Sequence, residues 1–164
     1  MPVRVSILTV SDRSSRGERP DLSGPALLLC CRSQGWQIID VAILPDERDQ
    51  IARKLVEWAD SGQCDLILTT GGTGFTARDV TPEATLSIIE RQTPGLTQAI
   101  LIESLKITPH AMLSRAASGI RGRTLIVNFP GSPKAAVENL MIILPVLPHA
   151  IELVRGDPAA EAGH

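Results

Sequence analysis

Two glycine-rich loops and a handful of acids are the parts of this chain best suited to chemistry. Gly71, Gly72 and Gly74 fall within four residues, flanked by Thr70 and Thr73 and followed by Arg78, Asp79 and Thr81-Pro82. Glycine has no Cβ, so such a loop can take positive φ angles and let a ligand approach its backbone N–H groups. Thr81 reads as a helix N-cap and Pro82 as the first helical residue, where a missing N–H costs nothing. Free amides and the positive end of a helix dipole would then face one space, a site for an anion. A second loop, Pro130-Gly131-Ser132-Pro133-Lys134, repeats the pattern. Ser132 can cap a helix there, and Lys134 in its first turn opposes the dipole, a small cost that suits a residue holding phosphate. Ser11-Asp12-Arg13 and Pro45-Asp46-Glu47 each follow an apolar run. In open α/β sheets ligands bind outside the carboxyl ends of strands, where these residues would lie. Asp46 as an expected helix-capping acid is the plainer alternative; a functional role needs Asp46 to meet Asp79 in space.

Two named phosphate motifs can be tested against the first loop. A Walker A loop requires Gly-Lys-Ser/Thr, and no lysine follows these glycines. Gly72-Thr73-Gly74-Phe75-Thr76-Ala77 fits the dinucleotide pattern G-x-G-x-x-A. That pattern should open directly into a helix and be followed about 20 residues later by an acid at a strand end. Here the helix signal waits for Thr81-Pro82, and residues 88–105 read as helix, so an NAD(P)-binding enzyme is the weaker reading. Phe75 and Phe129 each abut a glycine loop, either as a wall for a flat ligand or as ordinary packing.

Composition narrows the function classes. At 164 residues the chain is expected to form one domain with a sizeable core. A net charge of −2 gives no basic field for nucleic acid, and 2% aromatics with no tyrosine leave little for base stacking. No segment has the length of a membrane span, and Pro145 interrupts the apolar run 140–147. No signal peptide is expected, because Met1-Pro2-Val3-Arg4 leads straight into a strand pattern. Cys30, Cys31 and Cys64 have no metal-ligand spacing, which makes a reduced cytoplasmic setting the simplest home. His110, His149 and His164 form no motif.

The elements that must position these residues alternate. Strands are expected over 3–10, 36–44, 65–70 and 124–129, each β-branched or apolar. Helices are expected over 23–33, after Pro45, after Thr81, over 96–105 and from Ala135 onward, with Gly35 and Gly62 as stops. Ile51, Leu55, Trp58 and Ala59 form one apolar helical face, so Trp58 reads as core. The 96–105 helix is rich enough in Ile and Leu to be buried against the core or a partner subunit. Residues 14–24 read as a mobile loop, 114–122 as a linker of small residues, and 156–164 as a loose tail. The alternation argues for one α/β domain with a largely parallel sheet.

With both loops in view the chain resembles the molybdopterin adenylyltransferase family of molybdenum cofactor biosynthesis, which includes the adenylyltransferase domain of gephyrin. The residues that carry the resemblance are Thr69-Thr70-Gly71-Gly72-Thr73-Gly74, Arg78-Asp79-Val80-Thr81-Pro82-Glu83-Ala84-Thr85, Leu113-Ser114-Arg115, Gly119-Ile120-Arg121-Gly122, Asn128-Phe129-Pro130-Gly131-Ser132-Pro133-Lys134 and Leu147-Pro148-His149-Ala150-Ile151-Glu152-Leu153. The resemblance implies a three-layer α/β/α domain over residues 1–155, usually a homotrimer. It implies transfer of AMP from MgATP to the terminal phosphate of molybdopterin, releasing pyrophosphate. It matches Asp46 and Asp79 to the family's two functionally important acids, which could hold Mg²⁺. It matches Ser11 and Asp12 to the first loop, and Thr70, Gly71, Gly72, Thr73, Gly74, Ser114, Asn128, Pro130, Gly131, Ser132 and Lys134 to substrate binding. The loop 13–24 departs from the family pattern. A downstream molybdenum-insertion enzyme is an expected partner. The alternative is a molybdopterin carrier or oligomeric scaffold without transferase activity, although paired acids in an anion pocket would serve no purpose there.

Overall fold

The computed structural model describes residues 1–163. Strand β1 (Arg4–Val10) leads through a four-residue helix α1 (Asp12–Ser15) to α2 (Ser23–Ser33), β2 (Gln37–Leu44), α3 (Arg48–Asp60) and β3 (Leu66–Thr70). Then follow α4 (Thr81–Ile88), β4 (Arg91–Gln92), α5 (Pro94–Leu105), a 3-10 turn (Pro109–Leu113), β5 (Ser118–Arg121) and β6 (Thr124–Phe129). Helices α6 (Pro133–Ile143), α7 (Leu147–Arg155) and α8 (Pro158–Glu161) complete the chain. The six strands form one sheet in the order β2-β1-β3-β6-β5-β4. The first four are parallel, and β5 and β4 join antiparallel.

Strand periodicity splits the core in two. Val5, Ile7, Leu66, Leu68, Leu125 and Val127 point to one face, beneath Leu27 and Cys31 of α2, Leu140 and Ile143 of α6, and Leu147 and Ile151 of α7. Leu8, Val10, Ile67 and Ile126 point to the other, beneath Ile51, Leu55, Trp58 and Ala59 of α3 and Ala84 of α4. The result is three layers, helix on sheet on helix, as the alternation required. Burial pushes the Cys31 thiol up to about 12, which keeps it an inert core residue.

The topology fixes where a site can form. The chain leaves β1 toward β2 on one side and returns to β3 on the other. The loops after β1 and β3 therefore diverge and open a crevice at their carboxyl ends.

Four expectations change. The linker of small residues contains β5, which forms a hairpin with β6 through Gly122; Ser118 and Gly119 are fully enclosed. The helical run expected over 88–105 is interrupted by β4, which completes the sheet edge against β5. Residues 14 and 15 are helical, and Asp21 fixes the end of the supposedly mobile loop, accepting from Thr9 Oγ1 at 2.8 Å and from Gly24 N–H at 3.1 Å. Past Gly156 the chain forms α8, capped by the Asp157 carboxylate with Ala160 buried; His164 lies outside the described residues. Helix α5 buries only Ile100 and exposes Leu101, Ile102 and Leu105.

Among the described residues no single helix is long and apolar enough to cross a membrane; α6 and α7 meet the composition test only as a pair bent by 67°.

The amino ends of the strands are tied by one buried carboxylate. Asp65, 1% exposed, accepts from Arg4 Nη2 at 2.8 Å and Arg155 Nη2 at 2.5 Å, joining β1, β3 and α7. Burial works to raise this carboxyl, but the two guanidiniums outweigh it and hold the group far below the usual carboxylate range. A depressed folded-state value stabilises the fold above the unfolded value of about 3.9 and ceases to do so as pH falls through the folded value. Asp65→Asn is expected to cost about 2–4 kcal/mol at pH 7. The difference from wild type should shrink below about pH 4, as read by urea denaturation across pH.

Candidate functional site

The glycine loop is pressed between three strands' ends. Gly71 N–H donates to Phe129 O at 3.0 Å, at the end of β6. A Cβ on Gly71 (φ +101°) would stand 2.2 Å from Val10 O, at the end of β1, and one on Gly72 (φ +69°) would stand 2.3 Å from Thr81 Oγ1. Both positions thus demand glycine on conformation and on space. Thr81 is not the N-cap. It is the first residue of α4, its buried hydroxyl donates to Gly71 O at 2.9 Å, and its N–H donates to Gly72 O at 3.1 Å. The leading amide of α4 is consumed by the loop itself. The groups left to meet an anion are the N–H groups of Gly72, Thr73 and Gly74, which have no intramolecular acceptor among the described residues. The dinucleotide pattern fails for the same reason, since α4 starts well after Ala77.

The acids gather beside this loop. Asp12 N–H donates to Asp46 Oδ2 and Asp46 N–H donates to Asp12 Oδ1, each at 3.0 Å, a reciprocal clasp between the loops after β1 and β2. Arg78 closes it from the glycine loop, reaching both oxygens of Asp12 and Glu47 Oε1 at 2.9–3.0 Å. The Arg78 guanidinium holds Asp12 below the usual carboxylate range. Asp46 goes the other way: burial raises it, and the charges of Asp12 and Asp79 raise it further. Asp79 accepts from Thr76 N–H at 3.0 Å through Oδ2, and that oxygen would stand 2.9 Å from a Cβ on Gly74. Asp46 and Asp79 thus lie on the same side of the sheet, along one cavity.

That cavity has a volume of about 650 Å³ and is lined by Ser11, Asp12, Asp21, Asp46, Thr70 and the glycine loop. A second, of about 610 Å³ and more apolar, lies under α5 and the 3-10 turn, with Thr73, Gly74, Ser114 and Pro130 in its wall. Gly72, Asp79 and Gly131 line both. Ser132 lines the first and caps α6, accepting from Ala135 N–H. Most of the residues singled out from sequence therefore line one or both of two adjoining cavities. Two stand apart. Asn128 is 1% exposed; its amide donates to Thr69 and Thr85 and accepts from Ala117 N–H, a brace inside the sheet. The Lys134 side chain is 85% exposed, lines neither cavity and lies 3.9 Å from Glu138. Phe129 is core, whereas Phe75 stands in solvent at 66% exposure.

Sequence reasoning assigned no role to Arg115, Thr9 or Asp21. An acid three residues before Gly24 is a capping spacing and could have flagged Asp21. Nothing local to Arg115 reveals that its side chain folds back on a loop some 40 positions earlier.

The donor set suits magnesium. Burial raises Asp46 and the charges of Asp12 and Asp79 raise it further, a cost that a cation would relieve. Among the described residues no group of three His, Cys, Asp or Glu side chains forms a cage for a metal. Magnesium usually takes one or two carboxylates and completes its shell with phosphate oxygens and water.

Comparison with known proteins agrees with this geometry. Residues 6–149 match a family model described as a probable molybdopterin binding domain. A molybdopterin adenylyltransferase of Helicobacter pylori is 40% identical over 157 residues, covering 94% of this chain and 89% of that protein. Gephyrin of Dictyostelium discoideum is 46% identical over 94% of this chain, which spans only 23% of gephyrin. The crystal structure of the molybdopterin biosynthesis enzyme MoaB from Thermus thermophilus superposes with a TM-score of 0.89 at 49% identity, covering 95% of this chain and 98% of that one.

Gly72→Ala is expected to lower stability by about 2–3 kcal/mol, combining the left-handed conformation with the Thr81 clash. Gly122→Ala is the control: its φ is +57° but nothing lies within 4 Å of the added Cβ. It should cost only about 1 kcal/mol. Urea denaturation of both variants checks the difference.

Proposed function

The chain belongs to the molybdopterin-binding family of molybdenum cofactor biosynthesis, and we propose that it is a molybdopterin adenylyltransferase that moves AMP from MgATP onto the terminal phosphate of molybdopterin. One observation carries this reading: two ligand-sized cavities meet at Gly72, Asp79 and Gly131. A two-substrate phosphoryl-type transfer needs such a border, where the donor and acceptor phosphates can be held in line.

An oxygen of the molybdopterin phosphate attacks the α-phosphorus of ATP. A new P–O bond forms, the bond to the β-phosphate's bridging oxygen breaks, and pyrophosphate leaves with that electron pair. The nucleophile belongs to the substrate, so the protein needs no Ser-His or Cys-His pair. Its task is positioning and charge. The N–H groups of Gly72, Thr73 and Gly74, without acceptors among the described residues, would donate to phosphate oxygens at the border. Asp46 and Asp79 would hold Mg²⁺, which neutralises phosphate charge when bound. Ser11, Asp12, Thr70 and Ser132 line the first substrate's cavity, and Ser114 and Pro130 the second's. Lys134, exposed at the α6 amino end, would reach phosphate from the rim.

The exposed apolar face of α5 suits a subunit interface, such as the homotrimer that the family resemblance implies. The free cysteines support a cytoplasmic location. The expected partner is the enzyme that inserts molybdenum into the adenylylated product.

Asp79→Asn and Asp46→Asn should each cut pyrophosphate release by about 100-fold or more, with melting temperatures within a few degrees of wild type. Mixing ATP, Mg²⁺ and molybdopterin and following pyrophosphate checks this. A carrier or scaffold would bind molybdopterin in the same assay and release none.

A further inference from the structure

We infer that Arg115 is a positioning residue that sets the glycine loop and, through it, Asp79. The inference rests on the adenylyl-transfer reading only for its consequence in turnover.

The bonds that Asp79 makes with its own loop do not fix it to the body of the protein. Its carboxylate accepts from Thr76 N–H, and its own N–H donates to Thr76 O at 3.0 Å. Residues 76–79 therefore form a self-contained turn that could swing as a unit. Arg78 ties it on the solvent side, but that side chain is more than half exposed. Among the described residues, every hydrogen bond that ties residues 73–79 on the inner side comes from one residue. Arg115 N–H donates to Thr73 O at 2.8 Å, Nε donates to Gly74 O at 2.7 Å, Nη2 donates to Asp79 O at 2.9 Å, and Nη1 pairs with Glu83 in the first turn of α4.

The guanidinium thus spans the carbonyls at both ends of the segment 74–79 and anchors them to a helix. Its planar fork has fixed geometry, so the two carbonyls are held at a set separation. Arg115 N–H also holds the Thr73 carbonyl, and the planar trans peptide then aims the Gly74 N–H the opposite way; the Gly72 and Thr73 amides are set in the same manner by the Gly71 and Gly72 carbonyls, which Thr81 holds. Glu83 orients the fork: burial works to raise its carboxyl, but Arg115 outweighs this and holds it below the ordinary range. Arg115 lines neither cavity, so it acts through the loop and does not touch substrate. A lysine could offer charge but not a planar fork across two carbonyls and a carboxylate.

The test uses the full chain with Arg115→Lys and Arg115→Met. Hydrogen exchange reads the loop directly. The amides of Thr76, Asp79 and Thr81 should exchange at least about tenfold faster in both variants, with β1 and β3 unchanged. Pyrophosphate release reads the consequence: kcat should fall about 10- to 100-fold in both, with KM for ATP within about threefold of wild type, and lysine should not rescue. Unchanged loop exchange overturns the inference. So does faster exchange across the whole sheet with kcat per folded molecule unchanged, the result of a merely structural role. If wild type releases no pyrophosphate while the variants still loosen the loop selectively, the transfer reading fails and the positioning of the loop stands.

Discussion

The backbone at Gly71 and Gly72 lies so close to its neighbours that a side chain at either position would force them to shift. Val10 O crowds the first and Thr81 Oγ1 the second. This contact requires β1, β3, β6 and the start of α4 to end at one level, with Gly71 bonded to Phe129 O and Thr81 bonded back to both glycines. Everything else at the site follows from that closeness. The loop is held down at Gly71 and Gly72, its next three amides have no acceptor among the described residues, and the crevice opened by the reversal of strand order lies beside them. The usual account of such sites credits the helix dipole. Here the loop takes up the first helical amide, so the donors are the loop's own.

Electrostatics then sorts three neighbouring acids into different roles. Asp12 is neutralised by Arg78 and serves as a bracket between loops. Asp46 receives the Asp12 amide yet is half-buried, which raises it, and the charges of Asp12 and Asp79 add to this. A group held this way is poised for a cation, whereas Asp12 is already satisfied. The distinction comes from the burial of Asp46 and from the Arg78 guanidinium on Asp12, placed by the same loop that carries Asp79.

Much of this was legible in the sequence, for identifiable reasons. The parallel strands announced themselves by runs such as Leu66-Ile67-Leu68, and Ile51, Leu55, Trp58 and Ala59 gave the α3 face at helical spacing. The sites at strand ends followed from the fold class. What escaped depended on tertiary contacts. β5 reads Ser-Gly-Ile-Arg, with no apolar alternation, because Gly119 must pass against Ile89 and the Arg91 backbone. Thr81 looked like a cap because a threonine before a proline often is one; its hydroxyl instead went to a carbonyl ten residues back. Asn128 sits beside the second loop in sequence but points into the sheet, as the alternation of a strand requires. Arg115 belongs to a stretch that carries the family resemblance, but its positioning role has no local signal, since its partners lie 32 to 42 positions away.

The central claim is that one border, formed by the bare amides of the glycine loop and two acids, holds the phosphate chain. A crystal structure with a non-hydrolysable ATP analogue and Mg²⁺ tests it most directly. The account predicts phosphate oxygens about 3 Å from the N–H groups of Gly72, Thr73 or Gly74, and a cation bridging those oxygens to Asp46 and Asp79. Phosphates seated elsewhere, with the glycine amides facing only water and the cation away from both acids, would contradict it.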